Sequence, residues 1–215
     1  MPRLTEEEEL NRQAKMREIE NRLKAEGYGL IAGVDEAGRG PLAGPVYAAA
    51  VILPDDARLD GINDSKKLSE KKREELFEKI TKIAVSYAIF AVDEKEIDEI
   101  NILNATYMAM NGAVEKLNIK PDYVIVDGNS IKGLEYPHET VVKGDAKSIS
   151  VAAASILAKV SRDRYITKMA EEYPQYGFEK HKGYGTKAHT DAILEYGISP
   201  IHRKTFLKKL LGEKL

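Results

Sequence analysis

The sequence predicts one α/β domain built on a mixed β-sheet. Short apolar runs typical of strands alternate along the chain with segments whose apolar residues recur at helical spacing. The first two runs are joined by a Gly/Pro-rich link, which favours an antiparallel pair. At 215 residues, the chain is long enough to bury a sizeable core.

The composition excludes several kinds of site. The chain contains no cysteine, so disulfides, thiolate zinc sites and a cysteine nucleophile are ruled out. The formal net charge is -2, and nucleic-acid binding would therefore require a locally basic face. No apolar run reaches the roughly 18 residues of a membrane span, and the charged start of the chain is unlike a secretory signal. These features predict a cytoplasmic protein that does not bind a membrane.

The first 28 residues indicate a charged helical extension. Thr5 and Glu8 have the spacing of a capping box. A thin apolar stripe follows at Met16, Ile19 and Leu23. Gly27 then ends a single helix, which we expect to dock along one edge of the molecule. We therefore divide the chain into an extension at 1–28 and a main domain, with helices at its end, at 29–215.

The elements of the main domain follow from local patterns. Strands are predicted at 31–36, 46–53, 85–92, 123–127 and 138–142. Helices are predicted after the N-cap Ser69, over 93–100, from Asn101, from Lys147, over 186–196 and over 203–211. The helix from Lys147 is rich in alanine, which indicates close packing against a sheet face.

Acidic residues recur where apolar strands end. They are Asp35, Glu36, Asp127 and Asp145. If the strands are neighbours, these carboxylates converge at one end of the sheet, where they repel one another and need cations to stay ionised together. Oxygen ligands favour Mg²⁺ or Mn²⁺, and such a cluster suits two ions that activate water against a phosphodiester. Asp145 should lie near the start of the Lys147 helix, where the helix dipole favours its charged form.

The adjacent acids Asp35 and Glu36 pose a geometric problem. Neighbours on a regular strand face opposite sides of the sheet, so the two can serve one site only if the chain bends, as Gly38 allows. The competing interpretation is a structural ion pair between these acids and Arg39. The four histidines lack metal-site spacing and are interpreted as structural.

Basic character is concentrated around the acids. Residues 143–187 hold nine Lys/Arg against five Asp/Glu. Ser65 and Lys66 precede a helix, a position that suits phosphate contacts. Tyr184 is flanked by glycines and cations and could stack on a sugar or base, although a packed tyrosine in a loop is equally consistent with the pattern.

Together these motifs resemble those of ribonuclease HII, the bacterial type 2 ribonuclease H. The segments that carry the resemblance occur in the family's order at 33–45, 64–69, 126–128, 143–145, 152–163 and 181–186. The resemblance implies a ribonuclease H-like fold, with a five-stranded mixed sheet flanked by helices and extra helices at both ends of the chain.

The resemblance also implies roles for individual residues. The metal-binding and catalytic carboxylates would be Asp35, Glu36, Asp127 and Asp145. The backbone of Gly38, Arg39 and Gly40 would read the ribonucleotide 2′-hydroxyl, and Tyr184 would stack on the sugar at an RNA–DNA junction. Further substrate contacts, to phosphates, are assigned to Ser65, Lys66, Lys143 and Ser148.

The implied function is a metal-dependent endoribonuclease that uses Mg²⁺ or Mn²⁺. It would cut 5′ of ribonucleotides in RNA/DNA hybrids and 5′ of single ribonucleotides in duplex DNA, leaving 3′-hydroxyl and 5′-phosphate ends. We expect these duplexes as its partners and a monomeric state. Two alternatives stay open. Another nuclease or integrase-like enzyme of this fold would need the acids but not Gly38-Arg39-Gly40 or Tyr184. A non-catalytic nucleic-acid-binding module would not need four carboxylates.

Overall fold

A five-stranded mixed sheet forms the centre of the molecule. The computed structural model of the chain describes residues 5–212. Its strands are β1 (Ile31–Ala37), β2 (Val46–Ile52), β3 (Ser86–Val92), β4 (Tyr123–Asp127) and β5 (His138–Val141). The strand order is β3-β2-β1-β4-β5, in which β1 pairs antiparallel with β2 and parallel with β4. The predicted class and all five strands are confirmed, with each strand end within one residue of its prediction.

Helices pack on both faces of this sheet. Within residues 5–212 they are α1 (Glu6–Lys15), α2 (Glu18–Ala25), α3 (Glu70–Ile83), α4 (Glu94–Glu115), α5 (Ile149–Glu172), α6 (Phe178–His181), α7 (Lys187–Tyr196) and α8 (Lys204–Leu211). Residues 1–4 of the predicted extension and residues 213–215 at the end of the predicted main domain lie outside the described residues. In the described part of the chain, no helix has both the length and the apolar character needed to cross a membrane.

The prediction of a single N-terminal helix was wrong, because two helices, α1 and α2, occupy that segment. The capping box at Thr5 and Glu8 is present, with both reciprocal hydrogen bonds formed. The helix breaks after Lys15, where the carbonyl of Met16 accepts a hydrogen bond from the Ile149 amide (2.9 Å) at the start of α5. A contact with a distant part of the chain therefore fixes the break, and local spacing could not reveal it.

The predicted division between 93–100 and the helix from Asn101 is confirmed inside α4. Asn101 has a left-handed φ of 66° and a ψ of 163°, so the helical backbone is interrupted there. Its side-chain oxygen accepts hydrogen bonds from the amides of Leu103 and Asn104 (3.0 and 3.2 Å). Asn101 thus caps the second part of α4 as an N-cap residue does.

The two faces of the sheet are covered by different helices. Ala32 and Val34 of β1 point toward α4 and pack in one buried cluster with Met110. On the opposite face, Ala49 and Val51 of β2 pack with α3 and α5 in a second cluster. The alternation follows from the two-residue period of a strand, and it places residues 33, 35 and 37 of β1 on the α5 side.

The alanine-rich α5 approaches β1 closely, as the small residues predicted. A Cβ atom on Gly33 would lie 2.1 Å from the carbonyl carbon of Ser150 and 2.3 Å from the amide nitrogen of Val151. Only a residue without a side chain allows this distance. The position of α5 over the end of β1, and with it the geometry of the acids that follow, therefore depends on Gly33.

We expect Gly33→Ala to destabilise the fold by about 3 kcal/mol, since an added methyl in a tightly packed interface forces backbone shifts. Urea unfolding measures the difference. Gly29→Ala is the matched control, because a Cβ there meets only the Asp122 carboxylate, at an ordinary 3.4 Å. Equal unfolding midpoints for the two variants would contradict the close approach of β1 and α5.

Candidate active site

Three carboxylates meet where β1 and β4 end. Ligand oxygens of Asp35, Glu36 and Asp127 all lie within 4.8 Å of one another. The last paired residues of these parallel strands are Val34 and Val126. Asp35 and Asp127 are the next residues on the two strands, so they lie side by side on the same face of the sheet. The predicted convergence of strand-end acids is therefore present for these three residues.

Glu36 reaches the same site although it follows Asp35 directly. β1 still pairs with β2 at Glu36, but its pairing with β4 has ended two residues earlier, at Val34. No neighbouring strand on that side separates its carboxylate from the other two. The chain then turns at Gly38, whose φ of +99° favours glycine.

Burial and mutual repulsion raise the pKa values of this cluster. Asp35 is 5% exposed, and burial, followed by the charges of Glu36 and Asp127, raises its pKa well above the usual value. Burial also raises the pKa of Glu36, although the Arg39 guanidinium, 3.5 Å away, opposes the shift. The ion pair with Arg39 is thus present, but it does not neutralise the cluster.

Asp145 lies outside this 4.8 Å cluster but near Asp127, on the 3-10 turn Gly144–Ala146 that follows β5. Burial and then the charges of Asp64 and Asp127 raise its pKa. That the helix dipole favours the charged form of Asp145 stays a prediction, while burial and the neighbouring acids set the net direction of the pKa shift. The Gly144 amide donates a hydrogen bond to the Asp127 carboxylate (2.6 Å), which ties the turn to β4.

The predicted phosphate contacts divide into exposed and buried residues. Lys66 and Lys143 are exposed, so both ammonium groups are accessible to a substrate. The charge of Lys66 lowers the pKa of Asp145, although burial and other acids outweigh it. Lys66 therefore lies close to the carboxylates. Both lysines remain predicted substrate contacts.

Ser65 and Ser148 are buried and already hydrogen-bonded. The Ser65 hydroxyl lies 3.0 Å from that of Ser155, and Ser155 is close enough to Asp35 to lower its pKa. The Ser148 hydroxyl caps α5 and donates to Glu20 of α2 (2.6 Å). A direct contact of either hydroxyl with a substrate would require these bonds to break.

The glycine turn after β1 lies against the loop of Tyr184. A Cβ on Gly40 would be 3.7 Å from the Tyr184 ring, and the Leu42 amide donates to the Gly183 carbonyl (2.8 Å). The Tyr184 side chain is 42% exposed, so it is not a packed core residue. The structure therefore brings together the turn and the aromatic ring that the sequence assigned to one substrate.

This arrangement can be compared with known proteins. The family model of ribonuclease HII matches residues 32–209. The chain belongs to the ribonuclease HII family. A ribonuclease HII of Caldicellulosiruptor saccharolyticus is 59% identical over 194 residues, which cover 90% of this chain and 95% of that protein.

Solved structures of related enzymes share the fold. Ribonuclease H2 from Pyrococcus horikoshii OT3 matches with a TM-score of 0.72 and 34% identity over 85% of this chain and 97% of that one. Bst-RNase HIII in complex with Mn²⁺ has a TM-score of 0.69 at 21% identity, over 90% of this chain and 74% of that one, which indicates the fold alone. The predicted ribonuclease H-like fold is confirmed. The chain is a ribonuclease H, an endonuclease, and not merely a binding module.

Sequence reasoning missed three groups of residues in this ribonuclease HII site. Asp64 lies near Asp145 and raises its pKa, but it follows no apolar strand, and the pattern of acids at strand ends therefore did not select it. Arg162 and Arg203 are fully buried, whereas arginine usually indicates a surface. For Arg162 a signal existed, since it lies four residues from the buried Ala158 and Ile166 on the same helical face.

The third missed group is a series of hydrogen-bonded histidines that ends at the backbone carbonyl of Tyr184. The Ser199 amide donates to Nδ1 of His202 (2.9 Å), so the proton of this neutral ring is on Nε2. That Nε2 donates to Nε2 of His189 (3.0 Å), and Nδ1 of His189 then donates to the Tyr184 carbonyl (2.9 Å). These histidines hold structural hydrogen bonds, as predicted, and three of the chain's four histidines lie together, because His181 stacks on His189.

Stability should fall as the pH is lowered from about 6.5 to about 4. Burial lowers the pKa of both His189 and His202 to about 4, so in this window the unfolded chain binds protons that the folded chain does not. Thermal unfolding at several pH values measures the slope. The double variant His189→Asn/His202→Gln should show a shallower slope, and His138→Asn, at an exposed position, the wild-type slope. Identical slopes in all three proteins would show that the buried histidines do not titrate as described.

Proposed function

We propose that this ribonuclease HII cleaves the phosphodiester 5′ of a ribonucleotide, both in RNA/DNA hybrids and at single ribonucleotides in duplex DNA. The products would carry 3′-hydroxyl and 5′-phosphate ends. One observation carries the proposal: the carboxylate cluster of Asp35, Glu36 and Asp127 is followed directly by a glycine turn that lies against the exposed Tyr184. Groups suited to hydrolysis and groups suited to contact with one ribose are thus adjacent.

The carboxylate cluster fits a divalent cation. Its oxygens converge within 4.8 Å, and burial, followed by the charge of neighbouring acids such as Asp127, raises the pKa values of Asp35 and Glu36. Hard oxygen donors suit Mg²⁺ or Mn²⁺, and Bst-RNase HIII was solved with Mn²⁺. We propose that these three residues, together with Asp145, would hold two such ions. When bound, the ions would lower the pKa of a water molecule and offset charge on the phosphate.

The chain itself orients the proposed ligands. The Gly144 amide donates to Asp127 (2.6 Å), and Ser155 on α5 lies close to Asp35, whose pKa it lowers. Ser155 is in turn held by Ser65 (3.0 Å). Hydrogen bonds of this kind fix the direction in which a carboxylate presents its oxygens. Ser65 therefore acts, in this proposal, behind Asp35 instead of on the substrate.

The glycine turn supplies free donors for a ribose. Among residues 5–212, no group accepts a hydrogen bond from the amide of Arg39 or Gly40. A 2′-hydroxyl both donates and accepts hydrogen bonds and is the group that distinguishes RNA from DNA. Because Gly40 has no Cβ, a substrate can approach this backbone closely. The exposed Tyr184 ring beside Gly40 can then press on the neighbouring sugar.

Contacts with phosphates would supply affinity without reading the ribose. Lys66 and Lys143 are the exposed candidates for this role. The cytoplasmic location, the monomeric state and the division at residue 28 remain predictions from the sequence.

The first test compares a DNA duplex containing one ribonucleotide with the same all-DNA duplex, in Mg²⁺ or Mn²⁺. The enzyme should cut only the duplex that contains the ribonucleotide, on the 5′ side of that ribonucleotide, as seen with end-labelled strands.

Asp35→Asn should abolish cleavage, and in EDTA at pH 8 it should raise the unfolding temperature, because removing a buried charge relieves repulsion. Asp191→Asn, on the exposed face of α7, is the control. Near-normal turnover by Asp35→Asn at saturating Mg²⁺ would remove the cluster from the mechanism.

A second test separates ribose contact from phosphate affinity. Tyr184→Ala should slow cleavage at a single ribonucleotide by ~10²-fold or more, the scale expected when substrate positioning is lost. Tyr184→Phe should restore the rate, because the ring alone is required. In contrast, Lys66→Ala should weaken binding to every duplex and flatten its salt dependence. If Tyr184→Ala cut as fast as wild type, the tyrosine would have no part in junction recognition.

A further inference from the structure

Arg203 is fully buried and bonds the backbone of the turn that follows β1. Its Nη2 donates to the carbonyl of Gly38 (2.6 Å), and its Nε donates to that of Gly44 (2.8 Å). Its Nη1 donates to the carbonyls of both Arg39 (3.0 Å) and Pro41 (2.9 Å). One guanidinium therefore fixes four peptide groups of one turn.

Arg162, on α5, extends the same arrangement. Its Nη2 donates to Ala43 (3.1 Å) and its Nε to Pro45 (3.3 Å), again to carbonyls. Its Nη1 donates to the Lys182 carbonyl on the Tyr184 loop (3.0 Å). A Cβ on Gly38 would lie 2.2 Å from its Nε. The two arginines thus hold the turn and the Tyr184 loop as one unit.

Neither arginine forms a salt bridge with a carboxylate of the described residues. Burying a charge without an opposite charge is costly, and burial, followed by the charge of Arg162, lowers the pKa of Arg203 to about 9. Backbone carbonyls of these loops accept the hydrogen bonds of both guanidinium groups, and the more distant charges of Glu94 and Asp98 only partly oppose the fall in the pKa of Arg203. The cost of burying the Arg203 guanidinium is therefore offset by hydrogen bonds that fix the backbone conformation of this turn.

The direction of the carbonyls determines the direction of the amides. In a planar trans peptide, the N–H of a residue points opposite to the carbonyl of the preceding residue. Because the Gly38 and Arg39 carbonyls point at Arg203, the amides of Arg39 and Gly40 point away from it. These are the two amides for which no described residue is an acceptor.

We propose that Arg203 is a positioning residue for ribose selectivity, which aims the Arg39 and Gly40 amides at the 2′-hydroxyl by holding the carbonyls behind them. Arg162 supports the same geometry and joins it to Tyr184. This inference rests on the proposed function, since it assumes that the turn contacts a ribose. The role is one of positioning, because Arg203 is buried beneath the turn and touches no substrate.

The test uses Arg203→Lys, which keeps a positive charge but replaces the planar fork of donors by a single ammonium. With the single-ribonucleotide duplex, kcat should fall by ~10-fold or more, the effect of lost positioning. KM, and affinity for an all-DNA duplex, should change less than twofold, because phosphate contacts are intact. Arg164→Lys is the control, an arginine on α5 whose side chain is half-exposed and paired to Glu74.

Amide NMR spectra in EDTA provide a readout that does not need cleavage. In wild type, the Arg39 and Gly40 signals should differ between the single-ribonucleotide duplex and the all-DNA duplex. In Arg203→Lys this ribose-dependent difference should disappear while Mg²⁺ still raises the unfolding temperature. A variant with a purely structural defect would lose duplex binding and the Mg²⁺ response together, and that result would overturn the proposal.

The outcomes distinguish the inference from the proposed function. If wild type does not cut at a ribonucleotide, the proposed function fails. If wild type cuts and Arg203→Lys retains its kcat, the positioning role fails alone. If Arg203→Lys does not fold, the wild-type spectra still test the proposal. Arg39 and Gly40 amide signals that are the same with the single-ribonucleotide duplex and the all-DNA duplex would overturn it.

Discussion

Negative charge gathered at the end of β1 is the constraint on which the rest of the site depends. Asp35 and Asp127 are brought together by parallel strands that end side by side, and Glu36 joins them because β4 no longer pairs with β1 at that point. Such a cluster opposes folding when no cation is bound, since burial and repulsion favour the protonated acids. The tight packing of β1 on α5 at Gly33 supplies the rigidity that keeps these groups in place.

The turn that follows the acids is held by two buried positive charges, those of Arg162 and Arg203. It presents backbone groups, so its conformation must be fixed from behind without filling the space in front. Arg162 and Arg203 provide this support from α5 and from the residue before α8. α8 is itself anchored by Asp98 of α4, whose carboxylate accepts hydrogen bonds from the Lys204 and Thr205 amides (2.8 and 2.9 Å). The C-terminal helices thus serve the site as well as the core.

Local patterns were sufficient for the strands, most helices and three carboxylates of the site. Each of these depends on residues that are close in sequence or on the simple rule that strand ends meet. The same patterns could not reveal Asp64, which reaches Asp145 through a loop, or the break at Met16, which a contact with Ile149 fixes. They also failed for buried arginines and histidines, because residue type indicates exposure and only the fold shows which carbonyls those side chains meet.

In the proposed function, the short segment between Glu36 and Gly40 keeps the ribose contact close to the carboxylates. Gly38 is two residues beyond Glu36, and a chain spans at most about 3.3–3.6 Å per residue. The amides that would contact a ribose therefore lie within roughly 15 Å of the acids along the backbone, even at Gly40. A ribose held there can present only phosphates within about four nucleotides of it to the cluster, because backbone phosphates advance by about 3.4 Å of axis per nucleotide on each strand. In the proposed function, fixing the turn to β1 thus restricts cleavage to phosphates near the bound ribose.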